Sequence, residues 1–181
     1  GASYYQQGDY NRALYHHKKA LAIWLDIYGE NHPHVAAALN LQGAALKAMD
    51  KPEEARQVFE KALPIFKSVY GEIHPNTADV LDNIGTCFRL LENYPEAIQY
   101  YEQARSINLS LGNRSIETIA NNLANIGKVY LKSGNNEKGI QYLQESIDLL
   151  IKEFGPGNNY IKRIMAWLEK EEYNLNIVKI V

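Results

Sequence analysis

The sequence predicts an all-α fold, a solenoid of antiparallel helix pairs. Three observations predict it. Gly1, Gly43, Gly85 and Gly127 recur with a period of 42 residues. Other small residues keep step: Ala13, Ala55, Ala97 and Gly139 lie 12 positions after those glycines, and Ala20, Ala62, Ala104 and Ser146 lie 19 after them. Between them, apolar residues keep helical spacing rather than strand alternation. A fixed period of this length marks an array of small units, each burying its apolar face on its neighbours.

Each unit reads as two helices. In the second, Asn31-His32-Pro33-His34 is a breaker followed by a helix start, with Pro33 suited to the first turn. Val35, Leu39, Leu41 and Leu46 carry that helix to about Met49. Asp50-Lys51-Pro52-Glu53-Glu54 forms the turn, and its proline and glutamates suit the next N-terminus. Ala55, Val58, Phe59, Ala62, Leu63, Ile65, Phe66 and Val69 mark the partner helix, which Tyr70-Gly71 ends. Pro64, inside it, predicts a bend or loosened turn.

The third unit starts at His74-Pro75, turns at Glu92-Asn93-Tyr94-Pro95 and ends near Leu111-Gly112. The fourth starts near Asn113-Arg114-Ser115, turns at Ser133-Gly134-Asn135-Asn136 and closes at Phe154-Gly155-Pro156-Gly157. In the first unit Gly1 falls at a mid-helix phase, so the front half of that helix is expected to be missing, and Asp9 caps the partner helix ending at Tyr28-Gly29. The predicted array therefore covers 1–157, with a partial repeat at 1–35 and repeats at 36–77, 78–119 and 120–157. Residues 158–181 are a capping helix and tail. Ile161, Ile164, Met165 and Leu168 share one face of that helix, which also reads as the first helix of a decayed fifth unit. The tail Leu175–Val181 is apolar enough to pack on the last hairpin or to mark another cut.

A glycine inside a helix costs about 1 kcal/mol relative to alanine. Four at one phase predict a neighbouring helix too close for any Cβ. Larger side chains fill the remaining gaps: Tyr4, Leu46, Phe88 and Tyr130 on the first helices, His17, Phe59, Tyr101 and Leu143 on the second. Gly139, where alanine is expected, predicts a looser start to its helix.

Several function classes are excluded. Nineteen basic and 21 acidic side chains give a net charge of −2, with no basic stripe to grip a phosphate backbone, so no nucleic-acid partner is expected. Cys87 is the only cysteine, which rules out an internal disulfide and a cysteine zinc cluster and fits a reducing, cytoplasmic setting. No apolar run is long enough for membrane insertion. His16-His17 and His32-Pro33-His34 are not read as metal ligands: His32 and His74 share one repeat position, and no acidic or thiol partner sits at ligand spacing. Tyr4, Tyr70, Tyr101 and Tyr130 fall at repeat phases and read as core rather than base-stacking residues. Phosphate-loop, Gly-x-Ser-x-Gly and His-Glu-x-x-His motifs are absent, so neither enzyme activity nor a cofactor is expected.

The small-large pattern resembles the tetratricopeptide repeat. Gly85-Thr86-Cys87-Phe88 and Gly127-Lys128-Val129-Tyr130 match that family's Gly-x2-Tyr step. Ala55 through Ala62 and Ala97 through Ala104 match its Ala-x3-Phe-x2-Ala step. The 42-residue form, with Tyr-Gly-Glu-x-His-Pro between units (Tyr28 to Pro33, Tyr70 to Pro75), is similar to the repeats of kinesin light chains and their bacterial relatives. The resemblance covers about 1–157; beyond it Glu169 holds the next glycine's place.

The resemblance implies a right-handed superhelical solenoid and a protein-interaction scaffold or adaptor whose first helices line a concave groove for a linear peptide or partner helix. Carried onto this sequence, the groove takes in Asn40 and Lys47, then Asp82, Asn83 and Arg89, then Asn121, Asn125, Lys128 and Lys132. Asparagine recurs just ahead of the mid-helix glycines (Asn40, Asn83, Asn125), and a ladder of amides can hold a peptide backbone without reading side chains. Lys47, Arg89, Lys128 and Lys132 suggest an acidic element in the ligand. The Lys-x3-Asn clamp with which one subfamily holds the C-terminal carboxylate of heat-shock chaperones is absent: Ala44, Thr86 and Lys128 stand where its asparagine would. The rival reading is a structural module that self-associates through repeat ends or convex face.

Overall fold

The computed structural model describes residues 1–112 and 115–173. Asn113, Arg114 and residues 174–181, which include the apolar tail, lie outside the described residues. The described residues form nine helices: α1 (Ala2–Gln6), α2 (Tyr10–Tyr28), α3 (Pro33–Ala48), α4 (Pro52–Tyr70), α5 (Pro75–Leu90), α6 (Tyr94–Leu111), α7 (Ile116–Lys132), α8 (Asn136–Phe154) and α9 (Asn159–Lys170). The chain is all-α, and successive helices pack pairwise.

The start signals act as local chemistry requires. Pro33, Pro52 and Pro75 open their helices, where a missing N–H removes no helical bond. The Asp9 carboxylate accepts from the Arg12 N–H at 3.1 Å. The repeated histidine caps in the same way. Nδ1 of His32 accepts from the His34 N–H at 3.2 Å, and Nδ1 of His74 from the Asn76 N–H at 3.1 Å. Each of these rings stacks on the tyrosine that ends the preceding helix, Tyr28 at 4.0 Å and Tyr70 at 4.3 Å between centroids. The Tyr-Gly-Glu-x-His-Pro linker is therefore a cap joined to an aromatic stack. Tyr70 is accordingly 40% exposed rather than core. Tyr101 is fully buried as expected, and Tyr4 and Tyr130 are half-buried.

The chain divides into two compact units, Gly1–Ile107 and Asn108–Val181. In the first, Phe59, Phe66, Leu39, Leu46, Val80, Ile84 and Cys87 form a buried core with Ala36, Ala55 and Ala62. The mid-helix glycines lie under the partner helix's large residue. A Cβ on Gly43 would stand 2.6 Å from the Phe59 ring, and one on Gly85 3.0 Å from Tyr101. His17 fills the same role over Gly1. The α4 helix runs unbroken through Pro64, so the expected loosening does not interrupt it. Ala62 and Phe66, buried on either side of Pro64, hold both halves to the core.

In the second unit Leu143, Ile147, Leu150, Ile161, Ile164 and Leu168 close a core among α7, α8 and α9. Ser146, where the other units carry alanine, is fully buried, and its hydroxyl donates to the Ala120 carbonyl at 2.6 Å. Gly139 does not loosen α8, which is helical from Asn136. Leu131 occupies the space its Cβ would need, with Cγ at 2.6 Å and the backbone nitrogen at 2.9 Å. Glycine stands there for close approach, as at Gly127, whose Cβ would meet the Gly139 carbonyl and Leu143 at 2.9 Å.

Candidate functional site

The expected groove residues fall on two helix pairs, α3 with α5 in the first unit and α7 with α9 in the second.

On the first pair the structure joins Asn40, Lys47 and Asn83. The Lys47 ammonium donates to Asn83 Oδ1 at 2.5 Å, and the Asn83 amide donates to Asn40 Oδ1 at 3.5 Å. All three are half-buried. Burial holds Lys47 below the usual lysine range, while Asp82 pulls it back upward. Asp82 and Arg89 flank the buried Tyr101 hydroxyl: burial raises the phenol, Asp82 raises it further, and Arg89 opposes both. Tyr101 donates to Thr86 Oγ1 at 3.0 Å, and Thr86 donates to the Asp82 carbonyl at 3.0 Å. This network is anchored to the core.

On the second pair Asn121 and Lys132 are exposed or nearly so, while Asn125 and Lys128 are half-buried. Lys132 forms an ion pair with Glu171, just past the end of α9. The Lys128 ammonium lies 5.3 Å from the Trp167 ring centre, a cation–π distance. Both contacts join residues 39 apart, so α7 and α9 run parallel. Across α3 and α5, Lys47 and Asn40 both meet Asn83, 36 and 43 residues on. The turn after α9 also repeats the turns after the first helices. The Tyr173 N–H reaches the Leu168 carbonyl at 2.9 Å, as Lys51 reaches Leu46 at 3.0 Å and Asn93 reaches Phe88 at 2.9 Å. Glu172, like Asp50 and Glu92, has positive φ just before that contact.

The helix α9 brings residues that the repeat pattern does not single out. Tyr160 and Arg163 line a small cleft with Asn121, Ala124 and Lys128. The Arg163 guanidinium lies 5.5 Å from the Tyr160 ring centre. The signal is present as an aromatic–basic run at Tyr160, Arg163 and Trp167, three and four residues apart, but it lies past the last repeat glycine.

Among the described residues no three of His, Cys, Asp and Glu converge to hold a metal ion. No helix among them is long and apolar enough to cross a membrane.

The tetratricopeptide repeat family matches residues 1–68 and 35–110, together more than half of the chain, and a further repeat matches 120–149. Among solved structures, the chain is similar to BtubC (BKLC) of P. vanneervenii at 23% identity and TM-score 0.72, over 98% of this chain and 64% of that one. It is similar to a Podospora anserina putative kinesin light chain with nearly identical repeats at 16% identity and TM-score 0.76, over 93% and 80%. It also resembles a Rap protein complexed with competence and sporulation factor at 17% identity and TM-score 0.77, over 97% and 47%. The chain thus spans under two thirds of BtubC and about half of the Rap protein. No curated protein matches the sequence. The two helices per unit, the glycines under large partner residues and the capped linkers agree with these matches, and the chain belongs to the tetratricopeptide repeat family.

Proposed function

We propose that this chain is a protein-interaction scaffold that holds a linear segment of a partner along its first helices. The observation that carries this is the Lys47–Asn83–Asn40 chain across α3 and α5. It orients the Asn40 and Asn83 amides on one face without closing them into the core, and such groups can pair with a peptide backbone. The parallel placement of α9 on α7 extends the same design to the second unit, with Asn121, Asn125 and Lys128 on α7. The Rap protein, which is complexed with competence and sporulation factor, supports reading the fold as one that receives a partner.

The test is a peptide-array screen with wild type and an Asn83→Ala/Asn125→Ala/Lys128→Ala variant, with circular dichroism on both. Asn83 also supports Lys47, so Asn83→Asp, which keeps the acceptor and loses the donor, is screened beside them. Peptides that bind wild type and fail on folded variants establish the groove. Peptides indifferent to all three substitutions refute it.

One observation favours a second reading, self-association. Ile23 and Ile27 on α2 are 55% and 57% exposed. Ile65 and Val69 hold the same phases on α4, where Ile65 packs against the core. The outer face of α2 is thus shaped to receive another helix. Concentration-dependent association that Ile23→Lys abolishes, with groove variants unaffected, supports it.

A further inference from the structure

We infer that the cleft between α2 and α4, floored by the start of α3, is a binding site for a small apolar amine. It stands apart from the groove proposed above: Val35 and Leu39 share one face of α3, and Asn40 and Lys47 share another.

The cleft measures about 740 Å³, within the range of pockets that take small molecules. Its walls are Leu21 and Leu25 from α2, Val35 and Leu39 from α3, and Pro64 and Ile65 from α4. Val35 and Leu39 are 2% and 9% exposed and form the floor, while Leu25, at 38%, stands at the rim. Asn31 ties the linker to α4 beside them, its amide donating to Ser68 Oγ at 3.1 Å. The polar groups of the cleft are mostly acceptors. Pro64 has no N–H, so the Glu60 carbonyl lacks its helical donor although α4 runs on unbroken. Glu30 adds a carboxylate from the linker. The Glu60 carboxylate is held by Arg56 at 2.6 Å. Lys61, exposed on α4, is the one cation among the described lining residues. An ammonium can donate to the Glu30 carboxylate or to the Glu60 carbonyl. A carboxylate would meet Lys61 alone and be repelled by Glu30.

The next repeat shows what occupies the same positions elsewhere. One period on from Leu25 and Glu30 stand Lys67 and Glu72, which form an ion pair at 2.9 Å. The same step leads from Val35 to Thr77, whose hydroxyl donates to the Gly71 carbonyl at 3.0 Å. It leads from Pro64 to Ser106, which keeps the N–H that proline lacks. The repeat architecture therefore does not impose an apolar cleft on this place. With Leu25 at the lysine position, Glu30 lacks the cation that serves Glu72. An apolar amine supplies that cation, and its body covers the leucines around it.

The experiment uses the intact chain and isothermal titration calorimetry with three probes that share one ring system: 2-naphthylethylamine, 2-naphthylethanol and 2-naphthylacetate. The amine is expected to bind about threefold to fivefold more tightly than the alcohol, the span of an exposed ion pair, and the acetate more weakly than either. Glu30→Gln should bring the amine to the level of the alcohol. Leu25→Lys, which rebuilds the ion pair of the next repeat, should weaken the amine about tenfold. Pro64→Ser, which returns a helical donor to the Glu60 carbonyl, should weaken amine and alcohol alike, about threefold. Leu25 and Glu30 are both exposed, and circular dichroism establishes that each variant is folded. Asn83→Asp should change none of these affinities, so the amine site and the groove fail separately. An amine that binds no better than the alcohol or the acetate overturns the site. So does amine binding that survives both Glu30→Gln and Leu25→Lys, or the absence of binding by all three probes.

Discussion

Gly43→Ala should destabilise the chain, although alanine is the better helix former. The Phe59 ring lies 2.6 to 2.8 Å from the point where the new Cβ would stand. Carbon atoms in ordinary contact sit about 3.5–4.0 Å apart, so the ring must retreat by about 1 Å. It has nowhere to go: Phe59 is fully buried, with Leu39, Leu46 and Phe66 in the same core. Overpacking of this kind costs about 1–3 kcal/mol, and helix propensity returns about 1. The expected net loss is about 0–2 kcal/mol, read as a lower urea midpoint by circular dichroism with an unchanged slope. Phe59→Leu should make room for the methyl, so the double variant should lose less than the sum of the singles. Across the array the cost should follow the geometry. Gly85→Ala, with its nearest ring atom at 3.0 Å, should cost less, and Gly127→Ala, which meets a backbone carbonyl at 2.9 Å, should cost as much as Gly43→Ala. A Gly43→Ala chain more stable than wild type by the propensity gain alone would refute the packing argument.

Four further outcomes follow from particular residues. Glu92 holds φ at 59°, a phase at which other turns use Gly8 and Gly134, so Glu92→Gly should gain about 0.5–1 kcal/mol in a thermal melt. His74→Ala loses the Asn76 cap and the Tyr70 stack and should cost about 1–2 kcal/mol, whereas His74→Asn restores the cap and should recover most of it. His17 is 6% exposed, and its imidazole is held below the ordinary range by burial first, then by the Gly1 α-amino group and His16. The unfolded chain therefore binds that proton more readily, so the contribution is complete above about pH 6.5 and is lost as pH falls toward and through the folded value; His17→Phe should flatten this part of the stability–pH curve. Burial pushes the Cys87 thiol up to about 11, with Lys47 and Arg56 opposing it, so the thiol should resist a disulfide reagent at pH 8 until urea unfolds the chain.

Much of the fold is legible because the period is enforced by contact. A glycine under Phe59 or Tyr101 and an alanine such as Ala62 cannot be enlarged, so the sequence carries them visibly. The linker histidines are legible as a repeat position but not as caps, because the bond to the residue two ahead and the ring stack appear only once Tyr28 and Tyr70 are placed. Tyr70 misleads for the same reason: its phase recurs, yet its partner is a linker ring at the surface. Gly139 looks like a defect because alanine is the rule there, and only the position of Leu131 shows why alanine would not fit. Helix α9 is least legible. From its capping Asn158 to Glu172 it runs four residues less than the stretch from His74 to Glu92, so the glycine phase no longer points to its facing residues.

That last displacement matters most for ligand selection. The sequence shows a row of cations along the first helices, but a cation held by its own chain is not the same as one offered to a ligand. Lys47 is committed to Asn83 in a half-buried setting, and Lys132 is paired with Glu171. Each can still shape the local field, but recruiting either as a direct contact means breaking an existing one, which removes much of the gain. Arg163 rests on an aromatic ring, a contact that leaves its donor edge available. A Lys132→Gln variant should therefore disturb α9 more than it disturbs ligand binding, visible as a shift in Trp167 emission in a Trp24→Phe background. If Lys132→Gln weakens the array ligands without moving Trp167 emission, the Lys132 charge, and not its hold on α9, serves the ligand.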